Sequence, residues 1–328
     1  MTVTQSLTRL FAAGVTAALL GTSAMAQDVT LKLGHLGNEA NIWHKAAVKF
    51  AEEVATLSEG RVAVEVFPNE TLGKEMDVIN GMQLGTADMT ITGESLQNWA
   101  PMAALLAVPY AFLTLEDMDK AAGGELGDRI EAEIVAKAGV RPIAYFARGP
   151  RNLTANRAIT SPDDLAGLKM RVPNVPLFLS VWSALGATPT PMAFSEVFTS
   201  LQNGTIEAQE NPLALIKSAN FNEVQTHINM TEHVRSWIYL AISELSWAKL
   251  SEADQKAVME AAARAQAYER ELFIADEAAL VAELTGKGVT FVEVDKAAFA
   301  AKAKEAVLAG VKPEIKAEVE ALFAAQAR

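Results

Sequence analysis

The chain has no cysteine. Neither disulfides nor thiolate-held metals can brace it, so an apolar core must do so. It has four histidines, His35, His44, His227 and His233, and their spacing gives neither HExxH nor any other tight metal motif. No metal and no other cofactor is expected. Lys and Arg number 28 against 40 Asp and Glu, and no basic stripe offsets the formal charge of −12. A nucleic-acid partner is therefore not expected. No nucleotide motif is present. Glu207 and Glu210 could be read as an acid/base pair, but no nucleophile or activated base accompanies them.

Beyond the first 26 residues no run is long and apolar enough to cross a bilayer. Within them, Arg9 is the only charge before Asp28, Leu10 to Leu20 is apolar, and Ala24-Met25-Ala26 is a small-x-small site. This is the pattern of a secretory signal peptide over residues 1–26, cleaved near Ala26. The remainder should be exported and soluble. With 328 residues and 50% hydrophobic content, it is long enough for roughly two domains with a sizeable core.

Apolar periodicity switches repeatedly between two and 3.6 residues. Strands are expected at Val29–Leu33, Arg61–Phe67, Ala87–Thr92, Val140–Ala147, Leu168–Val172, Thr205–Gln209, Trp237–Ile242 and Val289–Val294. Helices are expected at 41–59, 73–84, 118–138, 177–185 and 195–202, and over the alanine-rich C-terminal stretch. Thr188-Pro189-Thr190-Pro191 reads as a stiff linker. Ser251-Glu252-Ala253-Asp254 resembles a capping box and opens a helix running to about Leu284, roughly 50 Å long. Such alternation predicts an α/β fold with largely parallel sheets. Two lobes without a separate linker imply several chain crossings, a hinge and an interlobe cleft, with the long helix crossing both lobes. The expected division is 27–148 plus about 237–276 for lobe I, and 149–236 plus about 277–328 for lobe II.

Within this frame two arginines stand out. Leu168, Met170 and Val172 alternate on one face of a short strand that Pro173 ends, which fixes Arg171 near the end of a buried element. Arg151 lies twenty residues earlier, in Gly149-Pro150-Arg151-Asn152. A guanidinium in apolar surroundings needs an anion, and its planar fork fits a carboxylate. For Arg171 that anion could be an internal acid such as Asp88 or Glu210, or a solute that comes and goes. Arg151 could equally be a solvated loop arginine, and Trp237 and Tyr239 read as core.

Gly167-Leu168-Lys169-Met170-Arg171-Val172-Pro173 and Gln209-Glu210-Asn211-Pro212, at this separation, resemble the solute-binding proteins of TRAP transporters, the DctP-type family. Phe67-Pro68 with Leu72-Gly73, and Leu84-Gly85 with Asp88, extend the likeness over nearly all of the exported chain. The resemblance implies a two-lobed periplasmic binding protein that captures an organic anion and delivers it to the small and large membrane subunits of a sodium-driven transporter. It also implies a monomer. By position it assigns Arg171 to the ligand carboxylate and Arg151 to a second contact. Asn174 and Asn211 become polar contacts, Phe194 an aromatic packing on the ligand, His233 a lining residue and Glu94 an acidic contact from the other lobe. His35, Asn38 and Glu75 lie where lobe I would set ligand choice. Three of these have a plainer alternative: Phe194 as core, Asn211 as turn chemistry before Pro212, His233 as a buried hydrogen-bonded histidine. Gln97 and Leu36 depart from the sialic acid branch, which leaves uronates, aldonates, other hydroxy acids and C4-dicarboxylates open. The rival class is an exported lyase or hydrolase using the arginines as carboxylate clamps.

Overall fold

The computed structural model describes residues 29–326, so the expected signal peptide lies outside the described residues. In chain order the strands are β1 (Val29–Gly34), β2 (Val62–Phe67), β3 (Met89–Thr92), β4 (Val140–Ala147), β5 (Arg151–Ala155), β6 (Lys169–Val172), β7 (Thr188–Pro191), β8 (Ala208–Pro212), β9 (His227–Val234), β10 (Trp237–Ser243) and β11 (Thr290–Val292). They form two sheets, ordered β2-β1-β3-β10-β4 and β11-β9-β5-β8-β6-β7.

Neither sheet is as parallel as the sequence suggested. β10 runs antiparallel to β3 and β4, and β5 runs antiparallel to β8 and β9. Both are strands on which the chain has just changed sheets. β4 passes to β5 through Arg148-Gly149-Pro150, and β9 passes to β10 through Arg235-Ser236. A strand that enters from the neighbouring sheet starts at the end where strands fed by a βα loop finish, so it runs against them.

The third crossing is the helix Glu252–Gly286, whose first turn is capped by the Ser251 side chain accepting from the Asp254 amide. Its first half buries Ala257, Val258, Ala261, Ala262 and Ala265, and packs on the helix Ile42–Leu57 of the first lobe. Its second half sends Leu280 and Leu284 into a cluster with Val197, Leu213 and Ile216 of the second. Between these halves it covers the open edge of β4. Gln266 Oε1 accepts from the Tyr145 amide and Glu269 Oε2 from the Ala147 amide, each at 3.0 Å. Outer-edge amides that would otherwise lack partners are thereby satisfied.

Three other expectations change. Thr188–Pro191 is not a linker but the edge strand β7, paired in parallel with β6. Prolines at alternate positions are tolerated there because only one side of an edge strand must donate. The helix expected over 118–138 is two helices, Leu115–Ala122 and Glu125–Ala138, broken at Gly123-Gly124. β9 had no counterpart in the sequence reading. The final helices divide as well: Lys296–Gly310 packs on the helix Pro176–Ala184, whereas Lys316–Gln326 returns to the first lobe through an Arg129–Glu318 ion pair and a Gln326–Ala111 hydrogen bond.

The lobes are closed on each other. Asn41 Nδ2 donates to Ser218 Oγ (3.1 Å), the Ser195 amide to Glu70 (3.0 Å), the Leu177 amide to Gln97 Oε1 (3.0 Å), and Asn98 Nδ2 to the Asn174 carbonyl (2.8 Å). Asn38 with Ser218 and Lys74 with Glu196 complete the seam.

Candidate functional site

The cleft holds an unusual density of buried charge. Glu210 stands opposite Leu153 in the β8–β5 register, and Arg151 lies two residues before Leu153 on the same face of β5. The Arg151 guanidinium grips the Glu210 carboxylate from two sides, Nε to Oε2 at 2.5 Å and Nη2 to Oε1 at 2.7 Å. Its Nη2 also reaches the Glu210 carbonyl and Asn211 Oδ1, and its Nη1 reaches Glu94 at 3.3 Å. Glu94, just beyond β3, is held at 2.5 Å by Arg148, which also donates to Ser236 Oγ at 2.6 Å. His233 Nε2 meets Glu210 at 2.9 Å, while its Nδ1 meets Thr231 Oγ1 at 2.8 Å. A continuous charged chain thus joins both lobes through two of the crossings.

The ionisation states follow from this pairing. Burial disfavours a charged Glu210, but Arg151 overrides it and holds the carboxyl down at about 2. Glu94 is likewise kept below the usual carboxylate range: burial opposes ionisation, and Arg148 and Arg151 outweigh it. For His233 burial prevails over Glu210, so the imidazole titrates below its ordinary value and is neutral at pH 7.

Arg171 differs from both other arginines. It is 3% exposed, yet its Nε and Nη2 both donate to one neutral acceptor, the Met192 carbonyl, at 2.9 and 2.7 Å. Its guanidinium carbon lies 5.9 Å from the centre of the Phe194 ring. Among the described residues no carboxylate pairs with it: Glu210 is taken by Arg151, and Asp88 accepts from the Lys32 amide and Ser246. Burial outweighs the attraction of the nearby Glu210 carboxylate and lowers its pKa to about 10, which still leaves it charged at neutral pH.

A small cavity of about 30 Å³ lies among Glu75, Glu94, Arg148, Arg151, Arg171 and Phe194. A larger one of about 300 Å³ shares Glu75, Arg171, Pro173 and Phe194 with it and opens beside Asn174. Arg171, Arg151, Glu94, Asn211, Phe194 and Asn174 therefore line two adjoining interlobe cavities, although Asn211 also serves Arg151 and Gln209. His233 sits behind Glu210 and His35 stands 3.3 Å from His44, and neither lines those cavities. Arg148 was missed in the sequence. It follows the end of β4 with no periodic signal, and only the crossing turns it toward Glu94.

A model of bacterial extracellular solute-binding protein, family 7, matches residues 33–312. The chain belongs to that family. A solute-binding protein of Roseobacter denitrificans is 71% identical over 307 residues, 94% of each chain. The crystal structure of a TRAP periplasmic solute-binding protein from that organism, with bound L-galactonate, superposes with a TM-score of 0.89 at 72% identity, covering 90% of this chain and 99% of that one. A TRAP periplasmic solute-binding protein from Polaromonas, bound to D-erythronate, gives 0.85 at 34% identity, covering 90% and 98%. This family 7 protein therefore has the two-lobed TRAP solute-binding fold.

Proposed function

We propose that this protein captures a sugar acid of the aldonate class in the cleft and delivers it to TRAP membrane subunits. The observation that carries the reading is Arg171, a buried guanidinium held by a neutral carbonyl and lacking a carboxylate of its own. A solute carboxylate completes it, with Phe194 packing on the solute body and Asn174 and Asn211 supplying polar contacts. In this reading Arg151 braces Glu210 and Glu94 around the ligand. The aldonates bound to the Roseobacter and Polaromonas proteins support the solute class.

The segment expected as a signal peptide supports export to the periplasm. The crossings support a division into lobes near 148/149 and 236/237 and within the long helix near 276/277, with Lys316–Gln326 assigned to lobe I.

A thermal-shift screen of the purified protein over L-galactonate, other aldonates, uronates and C4-dicarboxylates tests this. A ligand at 100 times its dissociation constant adds about 2.7 kcal/mol of stability. We expect the largest rise in Tm with a hexonate. A flat response to every sugar acid would overturn the proposal.

A further inference from the structure

Two ionisable side chains of opposite kind, a guanidinium and a carboxyl group, face the interlobe space without an ion pair among the described residues. Arg171 faces it from the second lobe. Glu75, the first residue of the helix Glu75–Leu84, faces it from the first. Both line the small and the large cavity, and among the described residues neither forms an ion pair. The other charges around the small cavity cancel within themselves, Arg148 against Glu94 and Arg151 against Glu210.

Glu75 is held for use as an acceptor. Thr92 Oγ1 donates to its Oε1 at 2.7 Å and Ser95 Oγ to its Oε2 at 3.0 Å, which fixes the carboxylate plane and leaves lone pairs directed elsewhere. Among the described residues no cation forms an ion pair with it, although the Arg151 and Arg171 guanidinium groups are near enough to attract it. Lys74, next in sequence, pairs with Glu196, and both line the larger cavity. Glu70 and Asp77 also line the larger cavity from the first lobe, so with Lys74 taken up by Glu196 the rim on this side is acidic too.

Taking Arg171 as the carboxylate anchor, as proposed above, we infer that Glu75 makes the site selective for a single negative charge: it accepts hydrogen bonds from the solute's distal hydroxyls and rejects a second carboxylate there. A hexonate presents a carboxylate at one end and hydroxyls along the rest, which matches this polarity. The corresponding hexarate replaces the terminal CH2OH with a carboxylate. That group would face Glu75 in a space poor in solvent, where like charges repel strongly. Burial and the neighbouring Glu94 already push the Glu75 carboxyl above its ordinary value. A second anion is therefore met either by repulsion or by an enforced proton uptake, and both weaken binding near neutral pH.

The test is titration calorimetry at pH 7.5 with L-galactonate and galactarate, a pair that differs only at the distal carbon. For the unmodified protein we expect galactarate to bind on the order of 100-fold more weakly. In Glu75→Gln the amide keeps the shape and loses the charge, and the ratio should shrink by about tenfold or more whatever happens to either affinity alone. Equal affinities for the two acids in the unmodified protein would overturn the inference while leaving the anchor at Arg171 intact, and that comparison needs no variant. A ratio unchanged in folded Glu75→Gln would assign the selectivity elsewhere and also overturn it. Failure of the unmodified protein to bind either acid would remove the functional reading and this inference together.

Discussion

Arg171 and Met192 define the site: two guanidinium nitrogens converge on one backbone carbonyl, and the remaining donor edge has no acid. Arg151 lies in the same cleft, and its fork is closed on Glu210. The carbonyl orients the Arg171 side chain without neutralising it. The charge is thus held ready, and a visiting anion need not displace an internal partner.

Removing that charge should remove binding. For Arg171→Ala we expect a loss of about 2–5 kcal/mol of binding free energy, roughly 30-fold to several-thousand-fold in affinity. Arg171→Lys keeps the charge but cannot both hold the Met192 carbonyl and present a planar edge, so it should also weaken binding strongly. Calorimetry with L-galactonate measures both. Unmodified affinity in the lysine variant would show that the fork is not what the ligand uses.

Arg151 should behave differently. Arg151→Met leaves the Glu210 carboxylate buried without its partner, and breaking such a pair costs about 3–5 kcal/mol of stability. Replacing both members, Arg151→Met with Glu210→Leu, should recover part of that loss, because two apolar groups leave no orphaned charge. Denaturant melts of the ligand-free protein give the comparison. If Arg151→Met melted like the unmodified protein while losing ligand affinity, Arg151 would be a ligand contact and not a brace.

Glu269 sets a pH dependence at the crossing. It is fully buried beneath β4, where burial raises its carboxyl to about 8 from an ordinary 4.5. Its folded pKa is the higher one, so its contribution to stability is complete below about 4.5 and is lost as pH rises through about 8. Glu210 has the opposite sign. Its contribution is complete above 4.5 and is lost as pH falls toward about 2. Glu269→Gln keeps an acceptor for the Ala147 amide and cannot ionise. It should raise stability at pH 8 by on the order of a few kcal/mol, seen as a higher Tm, and change little at pH 5. A pH-independent difference in Tm between the two proteins would contradict this.

Much of the architecture was legible because it depends on local pattern. The β6 run announces itself by alternation and by Pro173, and the long helix by its Ser251 cap and the absence of a breaker before Gly286. β7 was not legible, because proline in isolation signals a break and only the edge position makes it acceptable. Arg151 carries no strand signal of its own after Gly149-Pro150, whereas the structure starts β5 there. Its carboxylate partner depends on the β5–β8 register, which no local pattern records.

The sequence by itself determined the kind of element at most positions, the density of charge near the two arginines, and a chain with no cysteine to staple it. These follow from neighbours within a few residues, whose spacing and chemistry are written in order. Only the tertiary structure decided which charges cancel. Glu94, the Arg148–Arg151 stretch and Glu210 come from three separate segments and neutralise one another, while Arg171 and Glu75 face the cleft from opposite lobes. An ion pair is set by distances of a few ångströms across chain separations of 50 residues and more, and those are fixed by sheet order and by where the chain changes lobes.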